Sequence, residues 1–383
     1  MMQKSRVALV RCDSYDLSAV REAVAQGLDL LGGCRSFVRP GEKLLLKPNL
    51  LAAVPPEKCV TTHPAVFQAV AEAFLAAGAV LTYGDSPALD DPLRAARRAG
   101  FLEIGNRLGL EFADFQRGQV VNFPQGIQNK RFTIAAGVLA SDGLISLPKL
   151  KTHGYTIITG AIKNQFGCIP GLNKSELHLK LPDIDSFSRM LVDLNRYLSP
   201  RLFVMDGIIG MEGNGPRNGR PKKLGALLFS SDPVALDATA CRLIGLNPES
   251  VPALRQGHLM GLGFLRSGDI SIQGEQLTSF EAGAFAIGPR PPILKFNQPW
   301  LRSWLVPHPR INPDRCLKCG ICSCMCPVRP AAVVRQEEDE SSLPTYDYNR
   351  CIRCFCCQEV CPEGAIEVET PLLARVYRWL LVR

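Results

Sequence analysis

Residues 43–87, KLLLKPNLLAAVPPEKCVTTHPAVFQAVAEAFLAAGAVLTYGDSP, decide the fold of most of this chain. Two short apolar runs, at 43–49 and 80–83, have the length of buried strands and end in Pro, Asn or Gly. Between them, Pro64 to Ala77 places apolar residues at helical spacing and is followed by a glycine stop. Strand, helix and strand in this order predict parallel strands joined by a helix.

The same alternation extends outward from this stretch over the first 275 residues. We predict an α/β body over residues 1–288, with an open, mostly parallel sheet and helices on both of its faces. The further predicted strands are RVALV (6–10), GLISL (143–147), RLFVMD (201–206) and LGALLF (224–229), and the further helices are 17–31, 183–197 and 233–245.

Composition excludes several classes of protein. The chain has 383 residues, of which 46% are hydrophobic and 21% charged, as in water-soluble globular proteins. No apolar run is long enough to span a membrane, and the first residues lack a signal-peptide pattern, so we expect a cytoplasmic protein. Residues 1–310 carry 35 Lys and Arg against 26 Asp and Glu, without a long basic run. This excess favours a small anionic ligand or an acidic partner over a nucleic acid.

Two segments after the body have a different texture. Residues 289–310 are rich in Pro and aromatic side chains, which is typical of an extended linker. Residues 371–383, PLLARVYRWLLVR, form an amphipathic basic tail. We expect linker and tail to pack around the domain between them, and contact of the tail with a membrane surface is the alternative.

Ten of the fifteen cysteines lie between Cys316 and Cys361. They form the pattern C-x2-C-x2-C-x3-C-P twice, which resembles bacterial-type two-cluster ferredoxins over residues 311–370 and implies a small α+β domain. In this pattern the fourth cysteine points away from its own loop and binds the other cluster. We therefore predict two 4Fe-4S clusters, the first bound by Cys316, Cys319, Cys322 and Cys361 and the second by Cys351, Cys354, Cys357 and Cys326.

Zinc is the rival interpretation of these cysteines, but four tetrahedral ligands would leave the third cysteine of each motif unexplained. Cys324 and Cys356 are surplus to both clusters, and we interpret them as small buried residues or weak donors to cluster sulfur. Two linked clusters conduct electrons and perform no organic chemistry themselves. The sequence therefore predicts a protein partner that donates or accepts electrons.

Polar side chains gather where strands of the body are predicted to end. In an open parallel sheet this edge is where ligands bind. The lysines and histidines suit carboxylate or phosphate oxygens, and a lysine crowded by other cations has a lowered pKa, useful for acid–base or covalent chemistry. The predicted catalytic residues are Lys151, His153, Lys163 and Glu212, and the predicted substrate-binding residues are Lys47, Asn49, Asp85, Asn164 and His178.

Other interpretations of these residues remain open. Lysines such as Lys149 and Lys151 are often solvated, and His153 with His178 could bind a metal or be buried histidines. The glycines at 207–219 could let backbone N–H groups approach an anion, although the loop has no dinucleotide or ATP motif. For Asp232 the expected role is to cap a helix, whereas Asp237 could reach the pocket.

The body resembles the family called domain of unknown function 362, through the strings KPN, GDSP, PKxKTH, GAxKNxFG, DGxxGMEGxGP and SDPVALD, over about residues 5–275. It is also distantly similar to the N-terminal domain of nickel-dependent lactate racemases. The resemblance implies the fold and the place of the site more than a reaction.

These observations together favour an iron–sulfur oxidoreductase that passes low-potential electrons to a small anionic substrate or cofactor in the body. One alternative is a non-catalytic electron carrier or assembly protein that docks a partner. Another is an isomerase or lyase body with regulatory clusters. The sequence does not identify a further cofactor.

Overall fold

The computed structural model describes residues 4–171, 173–280, 283–288, 304–335 and 342–375. Most of the predicted linker, at 289–303, and the tail beyond residue 375 lie outside these ranges. The strands are β1 (Ser5–Arg11), β2 (Lys43–Pro48), β3 (Val80–Tyr83), β4 (Glu111–Phe112), β5 (Gly118–Asn122), β6 (Arg131–Ala135), β7 (Gly143–Leu147), β8 (Lys149–His153), β9 (Ile157–Thr159), β10 (Leu202–Glu212), β11 (Arg220–Ser230), β12 (Ile270–Gly274), β13 (His308–Ile311), β14 (Val333–Val334), β15 (Thr345–Tyr346) and β16 (Ile366–Glu369).

The helices of the body alternate with these strands, as predicted. They are α1 (Leu17–Leu30), α2 (Pro64–Ala76), α3 (Pro92–Arg98), α4 (Phe101–Arg107), α5 (Ala136–Leu139), α6 (Ala161–Asn164), α7 (Asn173–Lys180), α8 (Ile184–Leu198), α9 (Pro233–Leu243) and α10 (Pro252–Leu259).

One large sheet organises the body, with the strand order β12-β1-β11-β10-β7-β2-β3-β4 and with β8 and β9 attached beside β10. Most neighbouring pairs are parallel, which confirms the predicted fold class, but β11 runs antiparallel to both β1 and β10. Successive strand residues alternate between two cores, as Val204 and Met205 do. Helices α1–α4 cover one core, and α6 and α8–α10 cover the other.

The structure corrects the sequence prediction that the glycines at 207–219, after RLFVMD, lie in a loop. The start of this segment is the second half of β10, which pairs with β11 as far as Glu212 opposite Arg220. Gly207 and Gly210 therefore lie within β10, where they pair with β11, and only residues 213–219 form the loop at the tip of this hairpin. This tip contacts the C-terminal domain instead of offering a free anion-binding loop.

The C-terminal domain is small. It consists of β13 paired with β16, β14 paired with β15, and two short helices, Ile321–Cys324 and Cys356–Val360. The hairpin tip of the body fastens to the second helix and to the strand after it. Gln358 donates to Oδ1 of Asn214 at 2.6 Å, and Asn214 and Asn218 donate to the carbonyl groups of Ile366 and Cys361.

Candidate functional site

The eight predicted ligand cysteines surround two small spaces in the C-terminal domain. One space is lined by Cys316, Cys319, Cys322 and Cys361, and the other by Cys326, Cys351, Cys354 and Cys357. Within the described ranges, no three His, Cys, Asp or Glu side chains converge closely enough to bind a single metal ion. Each space is lined by four cysteines, which is the number of thiolates that bind one 4Fe-4S cluster.

Backbone conformation explains how each loop wraps around its space. Lys318 and Arg353 stand at the same place in their C-x-x-C units, and both have positive φ, at 55° and 60°. This left-handed conformation turns the chain sharply between two cysteines. The thiols on either side of the turn consequently face the same space.

A separate cavity, of about 90 Å³, lies between the body and the C-terminal domain, and we call it the interdomain cavity. It can hold several water molecules or one small organic ion. The C-terminal domain supplies Met325, Cys356, Glu359 and Val360 to its lining. Body residues that line it are Asn49, Leu51, Asp85, Ser86, Ala88, Lys151, His153, Thr159, Lys163, Asn164, Phe166, Gly167, Gly171, Lys174, Ser175, His178 and Pro216.

This cavity directly adjoins the second set of cysteines. Cys356 precedes Cys357, a predicted ligand of the second cluster, and the side chains of Cys356 and Cys354 are hydrogen-bonded. Met325 likewise precedes Cys326. A molecule in the cavity therefore lies next to the residues that would hold the second cluster.

Three lysines line the cavity. Lys151, at the middle of β8, donates to Oδ1 of Asn49 at 2.9 Å and to the carbonyl of Val60 at 2.7 Å. Lys163 is half-buried on α6, with its ammonium 5.2 Å from the ring centre of Phe166. Lys174, on α7, donates to the hydroxyl and carbonyl of Ser86 and to the carbonyl of Pro87.

His153 connects the two domains. Its Nδ1 accepts from the backbone N–H groups of Tyr155 and Thr156, so the proton of the neutral ring belongs on Nε2. Nε2 lies 2.6 Å from Oε1 of Glu359. Burial and the charge of Lys163 lower the pKa of His153 to about 4 in spite of Glu359. Burial would raise the pKa of Glu359, but Lys163 and His153 outweigh it and hold that pKa well below its usual range.

His178 is the second histidine of the cavity. It stacks on Phe187 with 4.4 Å between ring centres, and Tyr155 and Phe166 present their rings edgewise. Burial lowers its pKa to about 3. Among the described residues, its Nδ1 has no hydrogen-bond partner. The two histidines thus line the cavity as neutral rings.

A hydrogen-bonded layer beneath the cavity fixes its floor. Lys47 and Asp85 form a fully buried ion pair at 2.8 Å. Asn164 accepts from Lys47 and from Asn49, and Asn49 in turn accepts from Lys151. A Cβ atom at Gly167 would overlap the carboxylate of Asp85, so only glycine lets this strand-end carboxylate approach the turn that follows α6.

The structure brings together Asn49, Asp85, Lys151, His153, Lys163, Asn164 and His178 of the predicted site, but it places two predicted residues elsewhere. Glu212 lies outside the cavity near the far end of β10, where it pairs with Arg220 at 3.2 Å and Lys222 at 3.4 Å. Lys47 lies one layer below the lining because Asp85 and two oxygen acceptors already hold its ammonium. Both positions correct the sequence prediction.

Lys149 and Asp237 also have other partners. Lys149 pairs with Asp206 at 2.8 Å, and Tyr15 donates to the same carboxylate. Asp237 accepts from the backbone N–H groups of Ala161 and Ile162 and so caps α6. Asp232 caps α9, as predicted.

The lining residues that were not predicted as site residues include Lys174, Cys356 and Glu359. The string KSELHLK shows Lys174 four residues before His178, which is one helical turn and could have associated the two. Cys356 was recognisable as a cysteine without a cluster to bind. Glu359 has no local signal, because only the docking of the two domains brings it to His153.

Comparison with known proteins agrees with this architecture. The family model described as domain of unknown function (DUF362) matches residues 44–242, more than half of the chain. The chain belongs to the DUF362 family. A second model, a 4Fe-4S dicluster domain, matches residues 308–362. This DUF362 protein therefore carries an iron–sulfur domain after its α/β body, as the sequence motifs predicted.

A curated relative is the thylakoid-associated protein sll1697 of Synechocystis sp., which is 35% identical over 257 residues, or 67% of this chain and 79% of the relative. Two solved structures show weaker likeness. The lactate racemase apoprotein of Thermoanaerobacterium thermosaccharolyticum has 9% identity and a TM-score of 0.39, and covers 64% of this chain. A Thermotoga maritima protein has 11% identity and a TM-score of 0.37, and covers 61%. The match spans 57% and 60% of those two chains.

None of the described helices is both long and apolar enough to cross a bilayer.

Proposed function

We propose that this DUF362 protein is an iron–sulfur oxidoreductase that passes electrons through two 4Fe-4S clusters to a small anion bound in the interdomain cavity. The observation that supports this most strongly is the position of the cavity. It combines lysines of the body with Cys356 and Glu359 of the iron–sulfur domain, beside the predicted ligand Cys357. When bound, such clusters supply single electrons at low potential.

The cavity charge favours an anionic ligand. Lys163, together with Lys151 and Lys174 in their protonated forms, faces two carboxylates, Asp85 and Glu359, and Asp85 is already neutralised by Lys47. An excess of cations in a partly enclosed space attracts an anion more strongly than the same charges do in water. The apolar side chains of Leu51, Phe166 and Val360 exclude water from the rest of the ligand.

An electron donor or acceptor protein is part of this proposal. The first set of cysteines is the more exposed of the two, since Cys319 is exposed and Leu317 beside it is 68% exposed. A partner would exchange electrons at this end of the domain, away from the cavity.

The proposal is tested on anaerobically purified protein with dithionite-reduced clusters. Small carboxylates that carry a reducible group, such as 2-oxo acids, are added one at a time, with inorganic phosphate as the anion that cannot accept electrons, and cluster reoxidation is followed by visible absorbance. Lys163→Ala should keep its iron and its reduction by dithionite, because the lysine is not a cluster ligand. Losing one charge-assisted hydrogen bond costs about 1.5–3 kcal/mol, so we expect anion-dependent reoxidation to weaken at least about tenfold.

Lys130→Ala, at an exposed position, is the matched control and should behave as the wild type. If an anion reoxidises the clusters equally well in wild type, Lys163→Ala and His153→Ala, the cavity is not the site of reaction. If no added anion reoxidises the wild type, the non-catalytic electron carrier becomes the better account.

A further inference from the structure

Among the described residues of the body, three lysines are at most 1% exposed, and one of these three has no carboxylate partner there. Lys47 has Asp85 at 2.8 Å, and Lys149 has Asp206 at 2.8 Å. Lys151 has no carboxylate within ion-pair distance in the described part of the chain. Its partners are two uncharged oxygen atoms, Oδ1 of Asn49 and the carbonyl oxygen of Val60.

Two hydrogen-bond acceptors are the number that the N–H groups of a neutral lysine amine require. A neutral amine has two N–H bonds and one lone pair, whereas an ammonium has three N–H bonds to satisfy. With the two N–H groups directed to Asn49 and Val60, the lone pair takes the remaining tetrahedral direction. Lys151 lines the cavity, so this is the direction in which a ligand can meet the nitrogen.

Lys174 provides the contrast within the same cavity. Its nitrogen has three oxygen acceptors, at 2.6, 2.7 and 3.0 Å, which is the arrangement that an ammonium requires. Lys174 therefore fastens α7 to the loop after β3. Burial lowers the pKa of both Lys151 and Lys174 to about 7, so what distinguishes Lys151 is its free coordination direction and not its pKa.

The surrounding charges support a neutral Lys151. Burial and the positive charges of Lys163 and Lys149 lower its pKa to about 7, and Glu359 and Asp85 oppose them. An ordinary lysine with a pKa near 10.4 is neutral in only about one molecule in a few thousand at pH 7. Burial and a neighbouring cation are the two devices by which lysines become nucleophiles toward carbonyl compounds.

We propose that Lys151 is a nucleophile that binds a small carboxylate bearing an aldehyde or ketone group as a Schiff base. The lone pair of Nζ forms a bond to the carbonyl carbon, and the carbonyl oxygen leaves as water with the two amine hydrogens. A C=N bond replaces the C=O bond with no change in oxidation state. Lys163, also in the lining, is the cation available for the carboxylate.

This inference takes its cavity and its anionic ligand from the proposed function but needs no electron transfer. It is tested on the oxidised, cluster-containing protein under anaerobic conditions. Glyoxylate, which carries a carboxylate and an aldehyde, is added at pH 7 with cyanoborohydride, which converts an imine to a stable secondary amine. Peptide mapping by mass spectrometry then locates the adduct, and acetaldehyde serves as the probe without a carboxylate.

We expect the adduct at Lys151, with an occupancy at least tenfold above that of exposed Lys130, and no adduct at the ion-paired Lys47 and Lys149. Labelling of Lys151 should level off above pH 7 while exposed lysines continue to rise. Lys163→Ala should reduce the preference for glyoxylate over acetaldehyde. Lys151→Arg, which keeps a donor but cannot form an imine, should lose the cavity adduct.

Labelling confined to exposed lysines, with Lys151 unmodified, overturns the inference, and this result comes from the wild type alone. The two proposals fail separately. Anion-dependent cluster reoxidation without an adduct at Lys151 would contradict only the Schiff base. An adduct without reoxidation by any anion would contradict only the oxidoreductase.

Discussion

Nε2 of His153 lies 2.6 Å from Oε1 of Glu359, and these two residues belong to different domains. His153 ends β8 of the body, and Glu359 lies on the short helix that carries Cys357. The contact joins the wall of the cavity to the loop of the second cysteine set. It explains how a carboxylate within an iron–sulfur motif becomes part of a cavity in the neighbouring domain.

Replacement of Glu359 should loosen the backbone around His153. Glu359 favours the tautomer with the proton on Nε2, which leaves Nδ1 free to accept from Tyr155 and Thr156. In Glu359→Ala the ring loses this preference, and we expect these two amides to exchange hydrogen about tenfold faster, equivalent to about 1.4 kcal/mol. Hydrogen–deuterium exchange measures this, with Glu363→Ala, at an exposed position, as the control. Equal exchange in the two variants would show that the contact does not orient the ring.

Neighbouring cysteines should differ in their effect on iron content. Cys357 lines the space formed by the second set of cysteines, whereas Cys356 lines the interdomain cavity. Cys356→Ala should retain about eight iron and eight sulfide per chain, and Cys357→Ala should lose about four of each. Iron and acid-labile sulfide analysis after anaerobic purification decides between them. Stoichiometric zinc without sulfide, or equal loss in both variants, would contradict the ligand assignment.

A methyl group at Gly167 should destabilise the body strongly. The new Cβ would overlap the carboxylate of Asp85 and separate it from Lys47. Disruption of a buried ion pair costs about 3–5 kcal/mol, so we expect a large fall in Tm. Gly268→Ala is the control, because its Cβ would have no atom within 4 Å. Similar Tm values for both variants would mean that the Lys47–Asp85 pair is not held by close packing.

Acid should destabilise the protein through its buried histidines. The pKa of His178 is about 3 in the folded state against an ordinary value of 6.5. Stability from the neutral ring is therefore complete above pH 6.5 and is lost as the pH falls from 6.5 toward 3. Between pH 7 and pH 5 this loss is about 2 kcal/mol.

His178→Phe removes the titrating group, so its Tm should fall less than that of the wild type between these two pH values. His258→Phe, at a half-buried position on α10, is the control and should keep the full acid sensitivity. The same pH dependence in His178→Phe and the wild type would show that His178 does not carry this effect.

The sequence predicted those parts of the molecule that depend on local pattern. Strand and helix periodicity placed β2, α2 and β3, and cysteine spacing predicted the two sets that the structure groups together. Because Gly207 and Gly210 are not typical strand residues, the local pattern did not predict the second half of β10. Its strand conformation comes from pairing with β11. Periodicity along one segment does not contain that information.

The candidate site was predictable only in part, for a related reason. Lys151 and His153 lie on β8, which directly follows β7, and Lys163 follows β9, so topology alone brings them to one edge of the sheet. Charge alone does not tell Lys47, paired with Asp85, from Lys151, which has no carboxylate partner in the described chain. Glu212 and Glu359 are both glutamates, so residue type does not show which of them lines the cavity. The docking of the hairpin tip onto residues 356–360 determines that it is Glu359.

The central claim is that a small anion binds between the domains, next to the second cluster. Its most direct test is the proton NMR relaxation of acetate in the presence of the anaerobic protein, before and after reduction with dithionite, because a reduced cluster is paramagnetic and speeds the relaxation of nearby nuclei. We predict that reduction increases the relaxation rate of the acetate methyl group in the wild type and in Lys130→Ala, and that Lys163→Ala loses this increase. An equal increase in Lys163→Ala, or none in the wild type, would contradict the account.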